Sequence, residues 1–183
     1  MKSTIYRLED GKEIKGVILY AIIDNLNFYF TEIKVYEDGL IDCWELINLE
    51  TFKDRLRTEK VRVSLPPDSK LNIPNLGEIE ISNFLNYKSN DDFVKEIEDV
   101  ITELNGRKGR QRICIDLFKE YLIDDSDANF KKLKVAFEDL PSHQKKLFEM
   151  VDYKDPLIGL LIRGETFSRE IREYMLKDYF DGE

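Results

Sequence analysis

The sequence predicts an α+β protein, with an N-terminal antiparallel curved sheet or small barrel in residues 1–87 and a C-terminal helical bundle in residues 88–183. Up to Tyr87 the chain consists of β-branched and aromatic runs separated by short turn signals. Short links between strands favour an antiparallel meander. After Tyr87 the spacing of apolar residues changes from two to 3.6, which is typical of amphipathic helices. The sequence leaves open whether the two halves share one core.

The first strands follow from alternation and turn chemistry. Residues 3–8 alternate loosely and end at Glu9-Asp10-Gly11, a turn signal. Apolar residues occupy both odd-numbered and even-numbered positions in the segment from Lys15 to Asp24. This pattern indicates a strand that is covered on both faces. A turn over residues 24–27 then leads into a strand from Phe28 to Tyr36.

A hairpin is predicted around Asp38-Gly39, where the chain turns into a strand from Leu40 to Ile47. A two-residue turn would pair Val35 with Asp42, whereas a three-residue turn with a bulge would shift this register by one. Both registers remain open.

Parity divides the strand from Leu40 to Ile47 between two faces of the sheet. Asp42 falls on one face with Trp44 and Leu46. Cys43 and Glu45 fall on the other, so the Asp-Cys-Trp-Glu run is not expected to form one cluster.

The rest of the N-terminal half is predicted as one short helix and two strands. Asn48 caps a helix over residues 49–57. Strands follow at Val61–Leu65 and Glu78–Phe84, with residues 68–77 predicted as a loop because Pro74 lies within them.

The C-terminal half is predicted to be helical. Ser89 begins a capping box, and the helix that follows carries its apolar stripe on Phe93, Ile97, Val100, Ile101 and Leu104. Further helices are predicted at residues 110–123, after the Ser126 cap, at residues 143–153, after Pro156 as far as Gly164, and at residues 166–180.

Composition limits the classes of partner. Of 183 residues, 42% are hydrophobic, which is enough for a core without disulfides. The net charge of −9, from 28 Lys and Arg against 37 Asp and Glu, makes nucleic acid an unexpected partner, because binding it depends on phosphate neutralisation. Acidity instead favours solubility, or another protein of basic character as the partner.

We expect a cytoplasmic protein with no membrane segment. The N-terminus lacks an apolar signal region, and no apolar run approaches the roughly 20 residues that span a bilayer. Cys43 and Cys114 lack metal-site or disulfide spacing and are expected to be reduced and buried. His143 is the only histidine and begins a predicted helix. No nucleotide-binding or metal-binding motif is present in the sequence, so no cofactor or metal is expected.

Three carboxylates are the weak catalytic candidates: Asp42, Glu45 and Glu32. A carboxylate on an apolar face tends to have a raised pKa and can act as an acid or base, which would suit a hydrolase with a cleft between sheet and helices. The alternative is that Asp42 caps backbone amides while Glu32 and Glu45 belong to a solvated cross-strand cluster.

Two features are candidates for binding. Trp44 is the only tryptophan, and it belongs to an aromatic group on the predicted strands. Such a group can form a stacking platform for single-stranded nucleic acid, but we interpret it as core. Its members are Tyr20, Phe28, Tyr29, Phe30, Tyr36 and Trp44. The other feature is the basic cluster of Arg107, Lys108, Arg110 and Arg112. It could bind phosphate, or it could complement the C-terminal dipole of the preceding helix.

The run from Val35 to Leu56 resembles an uncharacterised family of small bacterial domains. In that family an acidic-Gly turn is followed by an Asp-Cys-Trp-Glu strand and a short helix, matched here by Asp38, Gly39 and residues 42–45. The resemblance covers approximately Ile5 to Phe84. It implies no activity and no catalytic residue.

The sequence therefore favours a bacterial, non-enzymatic protein-binding protein of immunity or regulatory type. A carboxylate hydrolase is the first alternative, and nucleic-acid binding through the basic loop is the second.

Overall fold

The computed structural model describes residues 4–86, 88–145 and 156–180, and its packing divides the chain into two units, residues 1–107 and 108–183. A predominantly antiparallel sheet comes first and helices follow, so the predicted α+β class is confirmed. The sheet is open and does not close into a barrel.

A long hairpin of β2 and β3 is the centre of the sheet. The strands are β1 (Thr4–Glu9), β2 (Lys12–Asn25), β3 (Asn27–Tyr36), β4 (Leu40–Asp42), β5 (Leu46–Asn48), β6 (Val61–Arg62), β7 (Ser69–Ile73) and β8 (Gly77–Ile81). Their order is β1-β2-β3-β4-β5, with β6 beside the end of β2. The β7 strand pairs in parallel with the start of β3 and carries β8 on its other side.

One face of this hairpin packs against two helices, α1 (Leu49–Arg57) and α2 (Asn90–Leu104). Side chains alternate along a strand, so the inward residues of β2 and β3 are of odd number, such as Leu19 and Ile33. The rings of Phe52 on α1 and Phe93 on α2 are fully buried and meet edge to face, with centroids 5.8 Å apart.

The α2 helix belongs to the sheet unit, although the sequence suggested a boundary just before it. Side-chain amides fix both of its ends: Asn90 donates to the Leu56 carbonyl at 3.3 Å, and Asn105 donates to the Glu37 carbonyl at 2.7 Å. The apolar stripe predicted from the sequence packs on the sheet. The division by packing therefore falls after α2, at residues 107 and 108. Tyr87, at the predicted boundary, lies outside the described residues.

The hairpin around Asp38-Gly39 adopts the second of the two predicted registers. Lys34 pairs with Asp42 and Val35 with Ile41, while the Gly39 amide donates to the Tyr36 carbonyl at 3.0 Å. Gly39 has φ of +85°, the left-handed conformation that glycine adopts without strain and that this bulged turn requires.

The single strand predicted from Leu40 to Ile47 is wrong. The strand ends at Asp42, and the chain reverses direction through residues 43–45. Asp42 therefore pairs with Leu46 in an antiparallel β4–β5 hairpin. Trp44 has φ of +68° in this turn. No Gly, Asn or Pro is present in these three residues, and a turn signal is therefore missing from the sequence.

The loop predicted at residues 68–77 is also wrong in part, because residues 69–73 form β7. Leu71 of this strand packs with Ile22 and Leu65 in a small second core near the turn that connects β2 and β3. The predicted strand at Val61–Leu65 is shorter than expected, since only Val61 and Arg62 pair with β2.

Residues 108–183 form a helical unit with α3 (Arg110–Ile123), α4 (Asp127–Asp139), α5 (Pro156–Leu161) and α6 (Arg169–Phe180). Its core includes Cys114, Leu133 and Leu140. Ser126 caps α4, as predicted. Residues 142–145 are helical, and the remainder of the helix predicted at residues 143–153 lies outside the described residues.

Candidate functional site

The open face is the side of the β2–β3 hairpin opposite α1 and α2, and it carries the even-numbered residues of both strands. At its centre the rings of Tyr20 and Phe30 are stacked, with centroids 5.3 Å apart and planes within 6°. Tyr20 is 55% exposed and Phe30 is 36% exposed. Two stacked rings on a strand surface are thus left in contact with solvent.

At one end of the open face, an arginine of the chain covers an aromatic ring. The Arg7 guanidinium lies 4.9 Å from the centre of the Tyr36 ring. It also pairs with the Asp38 carboxylate and, at 3.1 Å, with that of Glu9. Gly16 lies opposite Tyr36, where an added Cβ would come within 2.6 Å of the ring. Tyr36 is consequently buried.

The other end of the open face repeats this arrangement with different residues. The Arg62 guanidinium lies 5.4 Å from the centre of the Phe28 ring. It pairs with Asp24 at 3.2 Å and with Glu59 at 2.6 Å. Each end therefore combines a ring, an arginine stacked on it and carboxylates that neutralise the arginine.

Among the residues that the structure describes, the centre of the open face contains the ring pair and a carboxylate but no arginine. Glu32 lies directly across from Tyr20 in the β2–β3 register, on the same face. It is exposed, and its carboxylate makes no ion pair with the residues that the structure describes. Lys34, two positions along, pairs instead with Asp42 at 3.4 Å.

A cavity of about 350 Å³ lies on the helix-bearing side, beside the turn of residues 43–45. Trp44 is 53% exposed there and its indole N–H donates to the Thr31 hydroxyl at 3.2 Å. The Tyr29 ring meets it edge-on at 5.4 Å. These contacts hold the indole at the mouth of the cavity.

Arg55 of α1 contacts both Cys43 and Glu45 in the turn of residues 43–45. It donates to the Cys43 carbonyl at 3.4 Å and lies 3.5 Å from the Cys43 sulfur, and it pairs with the Glu45 carboxylate. Burial raises the pKa of the Cys43 thiol, and the opposing effect of Arg55 is the smaller one. The thiol therefore stays protonated at neutral pH, which is unfavourable for a nucleophile.

The three predicted catalytic carboxylates do not converge. Glu32 and Asp42 lie on the open face, and Asp42 is paired with Lys34. Glu45 lies on the other side of the sheet, at the cavity, and is paired with Arg55. No cavity brings two of them together among the pockets found in the described part of the chain.

The four residues of the predicted basic cluster are separated by the unit boundary. In the helical unit Lys108 pairs with Asp116 at 2.6 Å, Arg112 with the same carboxylate at 3.5 Å, and Arg110 with Asp139 at 2.9 Å. Arg107 ends the sheet unit and is exposed. Three of the four cations are thus paired with two carboxylates of the helical unit itself.

Net charge differs between the two units. Residues 1–107 hold 14 Lys and Arg against 21 Asp and Glu, a net charge of −7, whereas residues 108–183 hold 14 against 16, a net charge of −2. A division at Lys88 obscures this difference, because it counts the acidic helix α2 with the helical half.

The exposed centre of the open face was missed by the interpretation of the aromatic residues as core. That interpretation is correct for Tyr36, which is buried, but wrong for Tyr20, Phe30 and Trp44, which are exposed. The centre of the open face can be identified only from the pairing register. The β2–β3 pairs show that Tyr20, Phe30 and Glu32 lie on the same face of the sheet.

Two kinds of feature are absent from the described ranges, residues 4–86, 88–145 and 156–180. Within them no three His, Cys, Asp or Glu residues lie close enough together to hold a metal ion. Within the same ranges no helix is long and apolar enough to cross a membrane.

Fold and site together define an acidic α+β domain with an open aromatic sheet face, followed by a helical unit. The chain belongs to the family described as a domain of unknown function, DUF7638, whose model matches residues 4–108. The matched region ends within one residue of the boundary between the units. Membership of an uncharacterised family agrees with the resemblance seen in the sequence, whereas the Asp-Cys-Trp-Glu run as a family signature stays a prediction. Neither a curated protein nor a solved structure matches the chain.

Proposed function

We propose that this is a non-enzymatic protein-binding protein of immunity or regulatory type, acting in the bacterial cytoplasm, whose family domain associates with a basic partner protein. The observation that carries the proposal is the concentration of charge, since residues 1–107 hold −7 of the total −9. A field of one sign attracts a partner of opposite charge and speeds the encounter between them.

The open face supplies the apolar part of such an interface. Aromatic residues are enriched in the cores of protein interfaces, and tyrosine is frequent among the residues that dominate binding energy. Tyr20, Phe30 and Leu46 are exposed on this face. Carboxylates at its centre and edge, Glu32 and Asp42, provide a polar surround.

The separation of the carboxylates also supports binding over catalysis. A pair of catalytic acids must face one substrate from a short distance, as in glycoside hydrolysis. Here Glu45 faces the turn cavity, whereas Asp42 and Glu32 lie on the opposite side of the sheet, where Asp42 is paired with Lys34 and neither carboxylate lines one of the pockets found in the described part of the chain.

The proposal is tested by affinity capture from the native host with a charge-altered control. The double variant Glu13→Lys and Glu103→Lys alters two exposed carboxylates away from the centre of the open face and changes the net charge of the family domain from −7 to −3. We expect the wild-type chain to recover one basic protein in stoichiometric amount, with an association rate that falls as salt is added. The double variant should recover less of it. Recovery of no stoichiometric partner, or equal recovery by both chains at every salt concentration, would contradict the proposal.

A function of immunity type also predicts which gene lies beside the gene for this chain. A gene for a basic toxin should lie beside the gene for this chain. Co-expression of the two should restore growth that the toxin alone prevents, and growth arrest in the presence of both would exclude the immunity type.

A further inference from the structure

We propose that the centre of the open face, formed by Tyr20, Phe30 and Glu32, is a binding site for an arginine side chain of the partner protein. The proposal rests on the proposed function and specifies the chemistry of the partner at this position. It starts from the arrangement that the chain itself uses at both ends of the same face.

The two ends show what the sheet does with an aromatic ring at these positions. Arg7 covers Tyr36 and pairs with two carboxylates, and Arg62 covers Phe28 and pairs with two others. Both arginine side chains are largely buried by these contacts, at 16% and 17% exposure. The planar guanidinium suits stacking and bidentate pairing at once, which an ammonium does not.

The centre has every part of this arrangement except the cation. Tyr20 and Phe30 present a stacked pair of rings to solvent, and Glu32 lies across from Tyr20 on the same face. In the described part of the chain the Glu32 carboxylate has no ion-pair partner, and no guanidinium or ammonium lies over either ring. An arginine placed here would stack on exposed aromatic surface and neutralise Glu32.

A partner supplies this residue more readily than the chain does. Arg7 and Arg62 are each held by two carboxylates at the ends of the face, and Lys34 is paired with Asp42. The net charge of −7 on this domain attracts a basic protein toward the same surface. The arginine would therefore be a central anchor of the interface.

The test is an NMR titration of the full chain at low salt with two probes, the peptide acetyl-Gly-Arg-Gly-Arg-Gly-amide and its lysine analogue. The arginine peptide should shift the ring resonances of Tyr20 and Phe30 and the side-chain resonances of Glu32. The lysine peptide should bind several-fold more weakly, because an ammonium gains less from a ring pair and cannot form a bidentate pair with a carboxylate.

Matched variants separate the site from general acidity. Tyr20→Ala should weaken binding of the arginine peptide by about 3- to 30-fold, the range expected for a cation–π contact. Tyr6→Ala is its control, because Tyr6 is 60% exposed on the other face of the sheet and should bind as the wild type does. Glu32→Gln should weaken binding by about 2- to 5-fold, as for an exposed ion pair, whereas Glu13→Gln should not. Phe30→Leu removes the ring but keeps an apolar side chain. Weaker binding by this variant would therefore be due to loss of the ring and not to misfolding.

The outcomes distinguish this inference from the function on which it rests. Equal binding of the two peptides, or binding unchanged by Tyr20→Ala and Phe30→Leu, would overturn the arginine site and leave a basic partner bound elsewhere on the domain. If the arginine peptide binds at Tyr20 as expected but the native host yields no stoichiometric basic protein, the site stands and the proposed function falls.

Discussion

The two units of this chain use their charged residues differently. In the helical unit the basic residues near its start are neutralised locally, with Lys108 and Arg112 sharing Asp116. In the sheet unit several cations are also paired, yet acidic residues exceed basic ones by seven, and among the residues that the structure describes Glu32 has no ion-pair partner. The comparison shows that the described basic residues near the start of the helical unit are paired within that unit, whereas the sheet unit carries the larger excess of carboxylates.

The comparison depends first on α2 belonging to the sheet unit. Phe93→Ala removes a fully buried ring that packs on Phe52, and it should cost about 3 to 5 kcal/mol of unfolding free energy. Amide exchange should accelerate in β2 and β3 while α3 and α4 keep their wild-type protection.

The matched control is Leu133→Ala, which opens the core of the helical unit at a residue that is also fully buried. It should accelerate exchange in α3 and α4 alone. If Phe93→Ala loosens α3 and α4 as much as the sheet, the division of the chain after α2 is incorrect.

The second expected effect is the part of the pH dependence of stability that Cys114 contributes in the helical unit. Burial raises the pKa of Cys114 from 9.0 to about 11. Because the folded state holds this proton more tightly, the stabilisation is complete below the unfolded pKa and is lost as pH rises from about 9 to 11. Over that range the wild-type chain should lose about 2 to 3 kcal/mol more than Cys114→Ala does.

Chemical denaturation at pH 8 and pH 11 measures this difference, with the fluorescence of Trp44 following the sheet unit and amide exchange following the helical unit. Identical pH dependence in the wild type and in Cys114→Ala would show that the thiol is not shielded as the structure indicates.

A third effect concerns the turn of residues 43–45 in the sheet unit. Trp44 has φ of +68°, a conformation that costs a residue with a Cβ about 1 kcal/mol and costs glycine almost nothing. Trp44→Gly should therefore be more stable than Trp44→Ala by about 1 kcal/mol, since both lose the same contacts with Tyr29 and Thr31. Urea denaturation of the two variants gives the difference, and a more stable Trp44→Ala would mean that the turn has another conformation.

The smallest effect tests the local balance of charge in the helical unit. Asp116→Asn removes the carboxylate that pairs with the exposed side chains of Lys108 and Arg112, so the unfolding free energy should change by no more than about 0.5 kcal/mol. The loss of this negative charge beside the basic cluster should strengthen salt-sensitive retention on an oligonucleotide column relative to the wild type. Strong retention of the wild type that Asp116→Asn does not change would favour a nucleic-acid role for Arg107–Arg112 over local neutralisation of these charges.

Local signals in the sequence were sufficient to predict several elements of the fold, but they did not predict the candidate site. Asn48 and Ser89 cap their helices as predicted, and the Asp38-Gly39 turn adopts one of two predicted registers. Capping and turn formation depend on neighbouring residues, and the sequence therefore contains their whole signal.

The site depends on long-range pairing. Arg7 covers Tyr36 and Arg62 covers Phe28 across the sheet, contacts between residues about 30 positions apart that no local pattern encodes. The turn at Trp44 was missed because its residues lack turn propensity and the rest of the unit holds them in place through Arg55. The helical period of α2 was visible in the sequence, whereas the contacts of Asn90 and Asn105 that connect it to the sheet unit were not.

The most direct test of the central claim is hydroxyl-radical footprinting of the full chain with and without its captured partner. The side chains of Tyr20 and Phe30, which are exposed in the free chain, should become protected from oxidation in the complex. Tyr6 on the opposite face of the sheet and Tyr174 in the helical unit should be oxidised as before. Protection of Tyr6 or Tyr174 with no change at Tyr20 and Phe30 would contradict the claim that the open face of the family domain is the binding surface.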